Sequence, residues 1–238
     1  MSVTAARTAL VTGASRGIGA AVAVAFGAAG IRVALLARGK EKLGETAERA
    51  GSDSFGVQCD VSDDASVRMA VSQVRDRFEG APDIIVNNAG LFIIRTIEDT
   101  SDEEFDRILE TNLSAPFRFA REFLHDMRTR GSGHIVTIGS VADRHIFAGN
   151  AAYSATKYGQ RALHEVLREE TRGTGIRATL VSPAAVATDI WEPVRFLGTD
   201  TPPDRSAMLD PRAVSEAVMF AVMQPPDVNV DELRLSRT

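Results

Sequence analysis

The chain has 238 residues, 44% of them hydrophobic and 25% charged, with a formal net charge of −5. That balance is ordinary for a globular protein, and its acidity argues against a general nucleic-acid partner. No apolar run approaches the roughly 18 residues of a membrane span, and the one cysteine, Cys59, excludes an internal disulfide.

Seven short apolar runs punctuate the chain, at 8–12, 31–37, 54–59, 83–88, 134–140, 176–182 and 231–236. They are rich in β-branched residues and nearly continuous, as in strands buried on both faces of a parallel sheet. Longer stretches of helical periodicity lie between them. The alternation predicts βαβ units, and hence an α/β doubly wound fold with a seven-stranded, mostly parallel sheet and helices on both faces. No linker divides the chain, so residues 1–238 are expected to form a single domain. The opening "MSVTAARTALVTG" lacks a charged region followed by a long apolar one, so no signal peptide is expected and a cytoplasmic location is. Cys59, in an apolar run, reads as core.

The first run leads into "TGASRGIG", Thr12 to Gly19, which opens an alanine-rich helix. Glycines there allow a tight turn and let a diphosphate approach bare N–H groups at a helix N-terminus. The second run ends at Ala37, before Arg38. A fold that prefers NAD usually puts a carboxylate there; here none occurs before Glu41. Arg38 and Arg16 offer donors to a 2′-phosphate instead. The cofactor expected is therefore NADP(H), with Asp60, after the third run, toward the adenine edge.

A helix is expected from Ser101, with Glu104 at capping-box spacing. Phe105, Ile108, Leu109, Leu113, Phe119, Phe123 and Met127 follow its period. Asn112 falls mid-helix, four residues before Pro116. Proline has no N–H, so the Asn112 carbonyl loses its usual donor. That carbonyl is expected to face the active site and hold a water linked to Lys157.

Ser140 ends the fifth run, at the strand edge where open α/β sheets bind ligands. "YSATK" places Tyr153 and Lys157 one helical turn apart. Such a pair is common by chance on amphipathic helices. It also suits acid–base chemistry, since a cation one turn away favours the phenolate. Lowering the phenol by ~3 pH units takes about 4 kcal/mol. The sixth run ends in "SPAAVATD". Residues 189–211 mix bulky apolar residues with prolines and charges, and read as a lid, with Trp191 and Phe196 over the site. "VADRHIF" after Ser140 and "LFIIR" after Gly90 should line a substrate pocket. Arg95, Arg144 and His145 are candidates to recognise a substrate carboxylate, against the plainer reading of solvated surface charges. The four histidines show no metal-ligand spacing, and no metal is expected.

Taken together, these motifs resemble the short-chain dehydrogenase/reductase family, from about Thr8 to Thr188. The resemblance rests on Thr12, Gly13, Gly17 and Gly19; on Asn87, Asn88, Ala89 and Gly90; and on Asn112, Ser140, Tyr153 and Lys157. It implies a Rossmann-type domain with Asn112, Ser140, Tyr153 and Lys157 as a catalytic tetrad, the Asn112 carbonyl belonging to a proton relay. It also implies a cofactor site formed by Gly13, Ser15, Arg16, Gly17, Ile18, Gly19, Arg38, Asp60, Val61, Asn88, Ala89, Gly90, Tyr153, Lys157, Pro183, Val186 and Thr188. Ala184 departs from the family's glycine, so the turn near the nicotinamide is expected to differ slightly. The implied activity is hydride transfer between NADP(H) and a small carbonyl or alcohol, with small 3-hydroxy acids among the candidate substrates. The implied assembly is a homotetramer packed through the helices that carry Asn112 and Lys157. Two other readings stand beside this one. A non-catalytic NADP(H)-binding sensor on the same fold would be marked by loss of Tyr153 or Lys157. An isomerase, epimerase or dehydratase would need a larger substrate domain.

Overall fold

The computed structural model describes residues 7–51, 53–195, 197–198 and 203–238. Seven strands form one sheet: β1 (Thr8–Thr12), β2 (Arg32–Ala37), β3 (Phe55–Gln58), β4 (Ile84–Asn87), β5 (Gly133–Ile138), β6 (Ile176–Pro183) and β7 (Glu232–Leu235). Their order is β3-β2-β1-β4-β5-β6-β7 and every pairing is parallel. Parallel neighbours need crossovers, and the sequence supplies helices: α1 (Gly17–Ala28), α2 (Lys40–Ala50), α3 (Asp64–Phe78), α4 (Asp102–Leu109), α5 (Ala115–Arg130), α6 (Ala151–Thr171) and α7 (Pro211–Val222).

The near-continuous apolar strands do bury both faces. One core gathers Leu10, Leu36, Ile85, Ile135, Phe119 and Phe123 beneath α3 and α5; the other gathers Val11, Leu35, Val86, Val136, Phe26 and Val218 beneath α1 and α7. Cys59 packs in the first core, and burial pushes its thiol up to about 11. The strand order reverses between β1 and β4. Ligands of open α/β sheets bind at such a switch point, outside the carboxyl ends of the strands.

The capping box at Ser101 and Glu104 is present. The helix it starts does not run straight through. Glu110–Ser114 form a π turn between α4 and α5. Pro116, without an N–H, interrupts the α-helical bonding one turn after Asn112. Ala184 lies on ordinary backbone: among the described residues, positive φ outside glycine occurs only at Asp53 and Glu79. Its N–H donates to Leu235 O at 2.8 Å, so the turn after β6 forms without glycine.

Candidate active site

A cleft of about 1040 Å³ opens at the carboxyl ends of the strands. Its floor is the loop between β1 and α1. Gly13 and Gly17 have φ of 65° and 57°. A Cβ at Gly19 would stand 2.4 Å from Gly13 O, so that position demands glycine for packing. Gly19 itself is buried behind the loop, whereas Gly13, Ser15, Arg16, Gly17 and Ile18 line the cleft. The N-terminus of α1 has no side-chain cap, which leaves its first N–H groups for an anion.

Two residues lock the loop to its neighbour. Thr12 Oγ1 accepts from the N–H groups of Asn88 and Ala89, both at 3.0 Å, while Asn88 Nδ2 donates to Thr12 O at 2.8 Å. Asn88, Ala89 and Gly90 form one wall, and Pro183, Val186 and Thr188 another.

At one end, Arg38, Lys40 and Lys42 line the cleft together with Asp60 and Val61. Arg38 is exposed. Burial raises the Asp60 carboxyl, but hydrogen bonds from Ser62 and the charges of Arg38 and Arg107 outweigh it and leave the pKa below the usual range. Arg16 lies 3.7 Å from Asp189, a loose, exposed pair. These residues fit a phosphorylated dinucleotide: a glycine cradle, an uncapped helix end and a basic corner.

At the other end, β5 delivers Ser140 and α6 delivers Tyr153 and Lys157. The Lys157 Nζ lies 5.4 Å from the centre of the Tyr153 ring. Burial holds Lys157 down to about 8, opposed by the charge of Asp143. Burial pushes the Tyr153 phenol up to about 12; the Ser140 hydroxyl pulls it down and Asp143 adds to the rise. That value belongs to the protein without the positive nicotinamide, which is expected to lower the phenol together with Lys157. In the protein alone desolvation wins, and Tyr153 stays protonated at neutral pH.

Asn112 is fully buried and does not line the cleft. Its side chain ties two elements together. Oδ1 accepts from the Leu91 N–H at 2.8 Å, and Nδ2 donates to Leu91 O at 2.9 Å and Thr156 Oγ1 at 3.2 Å. Its carbonyl accepts from Gln160 Nε2. Gln160 Oε1 in turn accepts from Lys157 Nζ at 2.8 Å. Gln160 thus bridges the Asn112 carbonyl and the Lys157 ammonium. Gln160 follows Lys157 by three residues, a helical spacing that identifies it in retrospect.

Sequence reasoning also missed Asp143. It is 1% exposed, accepts from Ser182 Oγ at 2.7 Å and pairs with Arg144 at 2.7 Å. Arg144 reaches Glu232 as well. Arg95 pairs with Glu104 at 3.0 Å, and His145 is exposed. Neither arginine is unpaired as a carboxylate receptor would be. The wall beside Tyr153 is apolar, formed by Leu91, Phe92, Ile94, Val141, Phe147 and Trp191. The Phe92 ring centre lies 4.7 Å from Tyr153 and 5.0 Å from Trp191, both edge-on. Trp191 Nε1 donates to Val186 O at 2.9 Å. Phe196, expected beside Trp191, lies outside the described residues.

A fold that binds at its switch point, with a glycine cradle and a Ser–Tyr–Lys cluster, defines a nucleotide-dependent oxidoreductase class. The short chain dehydrogenase family model matches residues 7–196, and the chain belongs to that family. An uncharacterized oxidoreductase of Staphylococcus aureus is 33% identical over 98% of both chains. The alcohol dehydrogenase of the archaeon Thermococcus sibiricus, complexed with 5-hydroxy-NADP, superposes with a TM-score of 0.85 at 32% identity, covering 96% of this chain and 95% of that one. A closed form of serine dehydrogenase with NADP+ also gives 0.85, at 31% identity and 95% and 93% coverage.

Proposed function

We propose that this chain works as one dinucleotide-binding and catalytic unit. It interconverts a ketone or aldehyde and the corresponding alcohol, with NADP(H) as the hydride carrier. The observation that carries this reading is the convergence of Ser140, Tyr153 and Lys157 at one end of a cleft whose other end is basic and glycine-cradled. When bound, the nicotinamide would supply or accept the hydride. The protein's own residues manage the oxygen. Tyr153 gives its proton to the carbonyl oxygen as negative charge develops there, and the Ser140 hydroxyl donates a second hydrogen bond. Lys157 places a positive charge beneath the phenol. Burial keeps the phenol protonated, which suits the reducing direction. Asn112 acts from behind, through its carbonyl. Gly13, Ser15, Arg16, Gly17 and Ile18 would hold the diphosphate side, Arg38 with Lys40 and Lys42 the 2′-phosphate, and Asp60 with Val61 the adenine.

The apolar wall favours a substrate with an aliphatic or aromatic substituent, seated between Phe92, Val141 and Trp191. A small 3-hydroxy acid is the second reading, favoured by the likeness to serine dehydrogenase. It would need a free cation beside the pocket, and Arg144 and Arg95 are paired. A sensor without turnover has less support, because Tyr153 and Lys157 are both present. The protein is proposed to act in the cytoplasm, and no described helix is long and apolar enough to cross a membrane. The test is NADPH oxidation against matched panels of apolar ketones and short 3-keto acids. Turnover at least about tenfold better on the ketones is expected. Preference for the acids overturns the substrate assignment, and silence on both overturns the enzyme.

A further inference from the structure

We propose that Gln160 is a positioning residue, a clamp that holds the Lys157 ammonium charged and in place between α6 and the π turn. This reading deepens the proposed activity, since it concerns the same lysine. The amide's orientation follows from the chemistry of its neighbours. The Asn112 carbonyl can only accept, so it must meet the amide NH₂; the ammonium can only donate, so it must meet the amide oxygen. Gln160 is 2% exposed, and both its polar ends are used inside the protein.

The ammonium has three donors. One goes to Gln160 Oε1 at 2.8 Å and one to Ile138 O at 3.0 Å, which leaves the third for the cleft. Both fixed acceptors are neutral dipoles. They favour the charged amine without adding a carboxylate to compete for its proton. Few charged groups face the lysine. Tyr153 lies on its own helix. Asp143, on the turn after β5, is held by Arg144, which reaches Glu232 on β7. Glu110, on the π turn, is occupied by Arg118 at 2.5 Å. Removing the Gln160 oxygen therefore removes one of the two fixed stabilisers of a buried cation.

The test uses the fact that the chain has only three lysines, of which Lys40 and Lys42 are exposed on α2. The Lys157 Cε resonance can be followed with pH in lysine-labelled, cofactor-free protein. In Gln160→Met, which keeps volume and loses both hydrogen bonds, Lys157 should titrate about one pH unit lower than in wild type. Gln160→Leu provides the same comparison in a second background. Gln160→Ser opens room for water between Asn112 and Lys157, so its titration should lie nearer wild type than that of Gln160→Met. A packing role predicts the opposite order, since Met fills the space and Ser leaves a cavity. Unchanged Lys157 titration in Met and Leu, or a larger change in Ser than in Met, overturns the proposal. NADPH-dependent turnover is a separate readout, expected to fall about tenfold in Gln160→Met. If wild type shows no turnover but the titrations behave as stated, the proposed activity fails and the clamp stands.

Discussion

Arg38 stands where a carboxylate would discriminate against a 2′-phosphate, and its side chain is exposed at the basic end of the cleft. Its planar donors suit a phosphate. Arg38→Asp should lower kcat/KM for NADPH by roughly ten- to a hundredfold and reverse the preference toward NADH. Steady-state kinetics with both cofactors checks this, and an unchanged preference would remove Arg38 from the specificity site. His134 poses a different question, that of acid stability. It is buried on β5, with Nε2 2.8 Å from Thr179 Oγ1. Burial, then the charges of Arg177 and Arg7, lower its pKa to about 3. Unfolded, an imidazole titrates near ~6.5. Between those values the unfolded chain takes up a proton that the folded chain refuses. The stability tied to the neutral ring is therefore full above ~6.5 and is lost as pH falls toward 3. From neutral pH down to about 4.5 that amounts to about 2–3 kcal/mol. His134→Gln should reduce the loss by most of that amount, measured by urea unfolding at the two pH values.

At the scale of elements, the π turn Glu110–Ser114 sets the reach of the Asn112 carbonyl. Pro116→Ala would restore an N–H one helical turn on and let α-helical bonding compete for that carbonyl. Turnover should fall about ten- to a hundredfold through misplacement of Lys157, with little change in melting temperature. Unaltered turnover would make the π turn incidental. The strands were legible because their apolar runs are bounded by polar or glycine residues; each begins and ends within a residue or two of the run that announced it. The Ser101 helix start was legible because a capping box is local chemistry. The π turn was half legible: the proline was read as removing a donor, but how the backbone would absorb the loss depends on what packs beneath it. Gln160, Asp143 and the pairing of Arg144 were not legible. Each gains its meaning from a partner on another element: Gln160 from Asn112, Asp143 from Ser182, and Arg144 from Glu232. Gly19 was assigned to the cofactor by its motif; its packing against Gly13, which also demands glycine, was not legible.

Over the whole molecule, large apolar side chains remain exposed on the helices around the active site: Phe105 on α4, Phe117 on α5, and Tyr158 and Val166 on α6. Phe220 and Met223, in and just past α7, form a second exposed apolar group. Covering both groups is consistent with the homotetramer implied by the family resemblance. Sedimentation at micromolar concentration should give a tetramer, and Phe117→Glu with Val166→Glu should reduce it to smaller species; a wild-type monomer would refute the assembly. Such an assembly would brace α5 and α6, and through them the site on which the proposed function depends. That function is tested most directly by comparing wild type with Tyr153→Phe in NADPH-dependent reduction of an apolar ketone, with NADPH binding measured in parallel. The account predicts a loss of at least about a hundredfold in kcat with NADPH affinity kept within a few fold, as removal of a general acid implies. Near-normal turnover in the phenylalanine variant would contradict it.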